Sequence, residues 1–487
     1  MMRKSLLILL FIGSLLGAAE FRDGTLYLEV NLASGLKLSL ESDSLIITDV
    51  TELFQENLQG KVEIAMPSTE LENRYGIIDR IEEGRTEDPN DAVHRAYFAW
   101  EDDHLILKQQ SIYYRPESFS TISRAQQYVE ALGSSSRDIQ LIPIVDATVS
   151  LKDALGQSYF FESPLKIVSD QLWIGDLCYD GEFRLKVVED KLVLNQIIPL
   201  EEYIAGVVPN EIGNYSPTEA LKAQAVAART HAVNLLLYNR HSNDGYDLCN
   251  GTHCQVYKGK YLRNDAIEEA VVETAAEIMT TIGRVADATY HSSCGGKTDS
   301  SVAIWNGSYI PHLSGSTCIP EANHYDLSTE AGAASWLNIK PQTQGMSTWE
   351  QGTLHWERQL SRKNLAKKLG LVRINSIQIL ERGRSGRILK LKIKGDKEVI
   401  LSGEYKIRQA FEGLPSSYFC FAGQAGKSTI YPPATIVIQG RGSGHGVGMC
   451  QVGALRMARN GLEYADILQV YYPKTVISTD WIQDDEP

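Results

Sequence analysis

A chain of 487 residues is long for one hydrophobic core, and at about 150 residues per domain it predicts two or three units. Its 43% of hydrophobic residues is ordinary for a globular protein. The formal net charge of -14 argues against nucleic acid as a partner, because that binding rests on basic patches that release counterions; it leaves sugar polymers open.

The N-terminus reads as a targeting segment. Arg3 and Lys4 give a short positive start, Ser5 to Gly17 is apolar and uncharged, and Gly17-Ala18-Ala19 offers small residues for cleavage before Glu20. The apolar run is shorter than the ~20 residues of a spanning helix, so residues 1–19 are expected to be a cleaved signal peptide rather than an anchor. The mature chain is then expected in the periplasm or on the cell-wall side of the cytoplasmic membrane. Seven cysteines is an odd number for a fully paired exported protein, so at least one thiol is free or otherwise employed.

Residues 20–169 read mainly as strands and predict a β-rich accessory domain. Thr25 to Val30 and Gly35 to Leu40 alternate apolar and polar side chains, as half-buried strands do. A second strand group runs from Leu172 to Pro199, with Phe183 to Val187 and Lys191 to Leu194 separated by Val188-Glu189-Asp190. The first clear helix follows: Ser216 is a candidate N-cap, Pro217 suits the first turn, Glu219 completes a capping box, and an alanine-rich stretch continues from Ala220 to about Tyr238. Residues 338–415 look inserted, with a basic helix from Arg358 to Leu369 and strands around Ser376–Leu380 and Ile388–Ile393. Gln451 to Asn460 reads as a helix closed by Gly461, and Ala465 to Tyr471 as another, stopped by Pro473. The predicted class is α+β: a β-rich N-terminal region, then a mixed α/β domain over residues 170–480 that carries the insertion.

Three groups of residues have chemical potential. Glu211 is predicted in a loop between the apolar Tyr203–Val208 segment and the capped helix, where its carboxyl can project into a cleft, with Lys222 and Arg229 as possible neighbours. His241, Cys249, His253 and Cys254 offer two imidazoles and two thiolates, a set that suits tetrahedral zinc in a closed, structural site. A Cys249–Cys254 disulfide is the alternative in an oxidising compartment, although it accounts for neither histidine. Cys294 and Cys318 are the favoured disulfide pair among the remaining cysteines. The glycines of Gly442 to Gly448 match neither the phosphate loop nor the dinucleotide fingerprint. They would let backbone approach a bulky substrate, with His445 and Gln451 as hydrogen-bond partners; a tight packing turn is the alternative.

Four segments in order, Ile198–Glu211, Glu219–Thr230, Tyr290–Thr298 and Gly442–Ala454, closely resemble the family of stage II sporulation protein D and the amidase enhancer LytB. The resemblance covers roughly Asp170 to Thr479. His231, Ser443 and Cys450 depart from the usual residues at their positions, an aromatic, a tryptophan and a serine. What the resemblance implies is a lytic transglycosylase that cuts the MurNAc-GlcNAc bond of peptide-stripped glycan strands, with Glu211 as its catalytic glutamate. Lys222, Gln224, Arg229, Ser293, Gly295, His445 and Gln451 are then expected to bind substrate. The family also includes members that hold zinc in a His/Cys cluster, which His241, Cys249, His253 and Cys254 match. Its amidase-enhancer branch implies a second reading, a non-catalytic stimulator of a cell-wall amidase. A metalloprotease is disfavoured, since no His-Glu-x-x-His occurs.

Overall fold

The structure is a computed structural model describing residues 20–48, 55–66, 74–80, 94–101, 104–114, 137–142 and 148–481, apart from positions 24 and 157. The expected signal peptide, residues 1–19, lies outside them. The fold is α+β with a β-rich N-terminal region. From residue 18 onward the chain divides into two units, residues 18–206 with 239–261, and residues 207–238 with 262–487.

The first unit is built on a ten-stranded sheet. Strand Thr25–Gly35 buries Leu26, Leu28 and Val30 on one face, the period of two that its sequence carries. Lys191–Pro199 lies beside it, followed by Leu177–Val188, Leu165–Ile174, Lys37–Thr48 and Gln55–Ala65, every neighbouring pair antiparallel. Glu189 and Asp190 join two of these strands with φ of 47° and 59°, the left-handed pair a two-residue hairpin turn requires. On its other side Thr25–Gly35 is covered by the short strand Glu20–Arg22 only as far as Tyr27. Farther along, Leu248–Cys249 pairs with Val30 and Asn31 in parallel, and Asn250 donates to the Leu32 carbonyl at 3.1 Å. An open sheet edge is thereby occupied by a segment that arrives two hundred residues later in the chain.

The second unit centres on the alanine-rich helix, Thr218–Leu237, whose small side chains let helices Asp265–Glu273, Gln451–Arg459 and Tyr464–Tyr471 pack against it. Ala223, Val226 and Ala227 share a core with Val447, Met449, Val452, Ala454, Leu468 and Tyr471. The expected capping box is not formed. The helix starts one residue later, after Pro217, and the Ser216 hydroxyl instead donates to the Ile212 carbonyl at 2.9 Å. Glu219 accepts the backbone N–H of Tyr464 at 2.8 Å, so it caps a different helix. In the inserted region the basic helix is confined to Arg362–Lys368. Arg358 belongs to strand Trp356–Ser361, held by antiparallel pairing with Thr435–Gly440. This region has its own core, from Trp356 and Leu360 through Ile377, Leu391 and Phe411 to Ile438.

Candidate functional site

Glu211 is not in a loop. Leu200–Ile212 is one helix, and Glu211 sits partly buried in its last turn. Pro209 lies inside this helix, where it removes one intrahelical hydrogen bond, yet the last turn is kept, with Val207, Val208 and Ile212 all buried. On the alanine-rich helix, Lys222 is partly exposed and ion-paired to Glu273 and, at 3.3 Å, to Glu219. Those two carboxylates raise its pKa, the Glu273 contact most. Gln224 and Gln451 are both buried and meet at 3.2 Å, the Gln451 amide donating to the Gln224 carbonyl oxygen. Arg229 is fully buried and donates to the Glu277 carbonyl at 3.0 Å.

The two other motif segments are folded onto each other. Tyr290–His291 pairs in parallel with Met449–Cys450, and Ser293 and Ser443 exchange backbone hydrogen bonds of 2.9 and 2.8 Å. Gly442, Gly444, Gly446 and Gly448 all have positive φ. The close approach these glycines permit is to the protein's own chain: a Cβ at Gly444 would press on His291, and one at Gly446 would overlap the Arg387 guanidinium. Arg387, from the inserted region and fully buried, ties the segments together by donating to the carbonyls of Cys294 (3.0 Å), Gly444 (3.2 Å) and Ser293 (3.3 Å). Ser293 and Gly295 are buried within this arrangement, and the Gly295 carbonyl accepts from the Trp336 indole at 2.8 Å.

His445 uses both ring nitrogens internally. Nδ1 accepts from the Val447 N–H at 3.2 Å, so Nε2 carries the hydrogen that is donated to the Tyr290 carbonyl at 2.9 Å. Burial holds this neutral ring's pKa down to about 4. It lies 5.3 Å from both His291 and Trp305, centroid to centroid. Of the residues expected to meet substrate, Glu211, Lys222 and His445 are partly exposed, while Gln224, Arg229, Ser293, Gly295 and Gln451 lie inside the unit and shape it.

His241, Cys249, His253 and Cys254 do converge, in the first unit. Their donor atoms all lie within 4.8 Å of one another. The His241 Nε2 to Cys254 Sγ separation is 3.2 Å, and His253 Nδ1 stands 3.8 and 3.9 Å from the sulfurs of Cys249 and Cys254. Four N and S donors at ordinary zinc bond lengths would be spaced about 3.3–3.8 Å apart around a tetrahedron, so the set fits a metal ion. The Asp244 carboxylate holds the far nitrogen of His241 at 2.7 Å, which orients the ring. A hydrogen bond from Cys254 pulls the Cys249 thiol down to about 4, while that same pairing, followed by burial, pushes Cys254 up. Pairing of Leu248–Cys249 with the sheet edge fixes one end of the cluster. Beside it opens a cavity of about 260 Å³, lined among others by Glu29, Arg184, Lys186, His241 and Asp247.

Cys294 and Cys318 are both free thiols rather than a disulfide. A third sulfur, that of Cys450, stands with them, all three within 4.8 Å of one another. The parallel bridge between His291 and Cys450 is what carries it there. Sequence reasoning missed Cys450, Asp244 and Arg387. The first had a signal, since two motifs that must meet each carry a cysteine. Arg387 had none, because its partners are backbone carbonyls.

A family model described as Stage II sporulation protein matches residues 188–281, and one described as a domain of unknown function matches residues 299–448. Stage II sporulation protein D of Bacillus amyloliquefaciens is 32% identical over 297 residues, covering 58% of this chain and 74% of that protein. An uncharacterized protein of Brachyspira hyodysenteriae is 32% identical over 303 residues, covering 62% of this chain and 73% of its own. The amidase enhancer of Bacillus subtilis is 30% identical over 297 residues, 57% of this chain and 40% of the enhancer.

Proposed function

The chain belongs to the stage II sporulation protein D family, and on that premise we propose that it is an exported lytic transglycosylase acting on peptide-stripped glycan strands of peptidoglycan. The observation that carries the reading is the Glu211 carboxyl, partly buried at the end of a helix and directly ahead of the alanine-rich helix, whereas Glu219 of the next motif is taken up by Lys222 and the Tyr464 N–H. A glycosidase that adds water needs two carboxylates. A lytic enzyme works with one, because the sugar's own O6 hydroxyl attacks the anomeric carbon. Intramolecular attack of this kind reaches effective molarities of ~10⁵ M or more. Glu211 gives its proton to the leaving O4 as the C1–O4 bond breaks, then takes the proton of O6 as the C1–O6 bond forms. No water is consumed, and the carboxyl ends as it began.

His241, Cys249, His253 and Cys254 would hold a zinc ion, which supplies a structural cross-link when bound. Residues 1–19 would direct export and be removed. The test is to digest peptide-free glycan strands with the purified protein and look for 1,6-anhydro ends by mass spectrometry. Strands left intact under conditions where the protein is folded would refute the activity.

The second reading, stimulation of a cell-wall amidase, is favoured by the identity to the amidase enhancer. Amidase assays with and without the protein separate the two. Stimulation that survives Glu211→Gln belongs to the enhancer reading.

A further inference from the structure

We propose that Cys294, Cys318 and Cys450 form a second metal site, one that takes a single divalent thiophilic cation of the zinc(II) class. It is separate from the His241 cluster and does not depend on glycan cleavage. Three segments distant in sequence deliver one sulfur each, and all three cysteines are buried. Packing alone gives no reason for three thiols to share one point, whereas thiolate sulfurs about 3.8 Å apart are what a zinc ion at ordinary Zn–S lengths requires. The sulfurs are also held as acceptors. Cys450 Sγ receives the N–H groups of Cys294 (3.2 Å) and Gly453 (3.3 Å), and Cys294 Sγ receives that of Gly296 at 3.3 Å. The Tyr471 hydroxyl stands 3.1 Å from Cys318 Sγ. Cys450 is the N-cap of Gln451–Arg459, so the positive end of a helix faces the cluster. A Cβ at Gly453 would overlap both the Tyr471 hydroxyl and the Cys318 sulfur, so only glycine lets the helix come this close.

Room and charge agree with an ion. A cavity of about 20 Å³ is lined by the three cysteines together with Gly296, Gly453 and Arg456. That is enough for one water-sized occupant. Zinc(II) with three thiolates carries a charge of -1, which the Arg456 guanidinium offsets; copper(I) would leave -2. The Arg456 Nε is buried and lacks a hydrogen-bond partner among the described residues. A zinc ion is ligated by thiolates, so binding here displaces thiol protons and tightens as pH rises.

The experiment reduces the full-length protein without oxygen, equilibrates it with zinc(II) and counts zinc per chain. Wild type should hold one more zinc than Cys450→Ser, whatever the His241 cluster holds, while Cys254→Ser should leave this site loaded. Serine at 450 keeps a hydroxyl to cap the helix, so the comparison reads ligation rather than capping. Equal zinc in wild type and Cys450→Ser overturns the proposal. Should the variant not fold, cobalt(II) added to a Cys249→Ser, Cys254→Ser double variant decides: a thiolate-to-cobalt charge-transfer band should appear. No such band, or a Cys294–Cys318 disulfide that forms equally fast with zinc present, overturns the proposal as well.

Discussion

Replacing Glu211 by glutamine keeps the size and hydrogen-bonding of the side chain but removes the proton the leaving oxygen must receive. Glycan cleavage should fall by ~10²- to 10⁴-fold, with the melting curve and glycan binding retained. Cleavage near the wild-type rate would place the acid elsewhere. A second residue-scale expectation concerns His445. Its folded pKa of about 4 lies below that of an unfolded histidine, about 6.5, so between these values the unfolded chain takes up a proton that the folded chain refuses. The stabilisation is present above about pH 6.5 and is lost as pH falls through 4, on the order of 3 kcal/mol from this ring. Denaturant melts of wild type and His445→Gln across that range should show a shallower acid-side fall in the variant; parallel curves would reject the argument. At this scale sequence and structure diverge informatively. Motif matching singles out His445, Gln224 and Gln451 as polar, yet it does not reveal that their partners are Tyr290, Val447 and each other.

Elements were legible wherever periodicity or a turn spelled them out. Thr25–Gly35 shows its alternation, and Gly461 the end of Gln451–Arg459. They were not legible where tertiary pairing overrode a local signal. Leu200–Ile212 runs on through Pro209, and Arg358 joins a strand because Ile438 lies opposite it. The glycine loop offers a test at this scale. Gly446→Ala meets both a positive φ of 81° and the Arg387 guanidinium, and should cost about 2–4 kcal/mol. Gly461→Ala, at φ 86° with nothing within 4 Å, should cost only about 1 kcal/mol. Urea midpoints with unchanged m-values measure both. Equal losses would mean that Arg387 moves aside freely.

For the whole molecule, the His241 cluster ties metal content to the stability of the unit that contains it. With free zinc 1,000-fold above its dissociation constant, binding should stabilise that unit by about 4 kcal/mol. Calorimetry with and without chelator should move the transition of residues 18–206 and 239–261, and Cys254→Ser should abolish the zinc response of that transition. A chelator-insensitive melt with a mapped Cys249–Cys254 disulfide would replace the metal by a covalent link. The donor set was legible in the sequence because two histidines and two cysteines fall within fourteen residues. Its anchoring was not, since the strand it leans on, Thr25–Gly35, lies far earlier in the chain.

That anchoring bears on how the gene can change. The chain passes from one unit to the other at residue 206, returns at 239 and leaves again at 261, and Leu248–Cys249 rests on Thr25–Gly35. One recombination breakpoint therefore cannot exchange either unit intact. A crossover between codons 35 and 248 would pair the metal loop of one parent with the sheet edge of another. Surviving chimaeras should keep residues 25–35 and 239–261 from the same parent, so the two stretches are inherited as one piece although a far longer stretch of chain separates them.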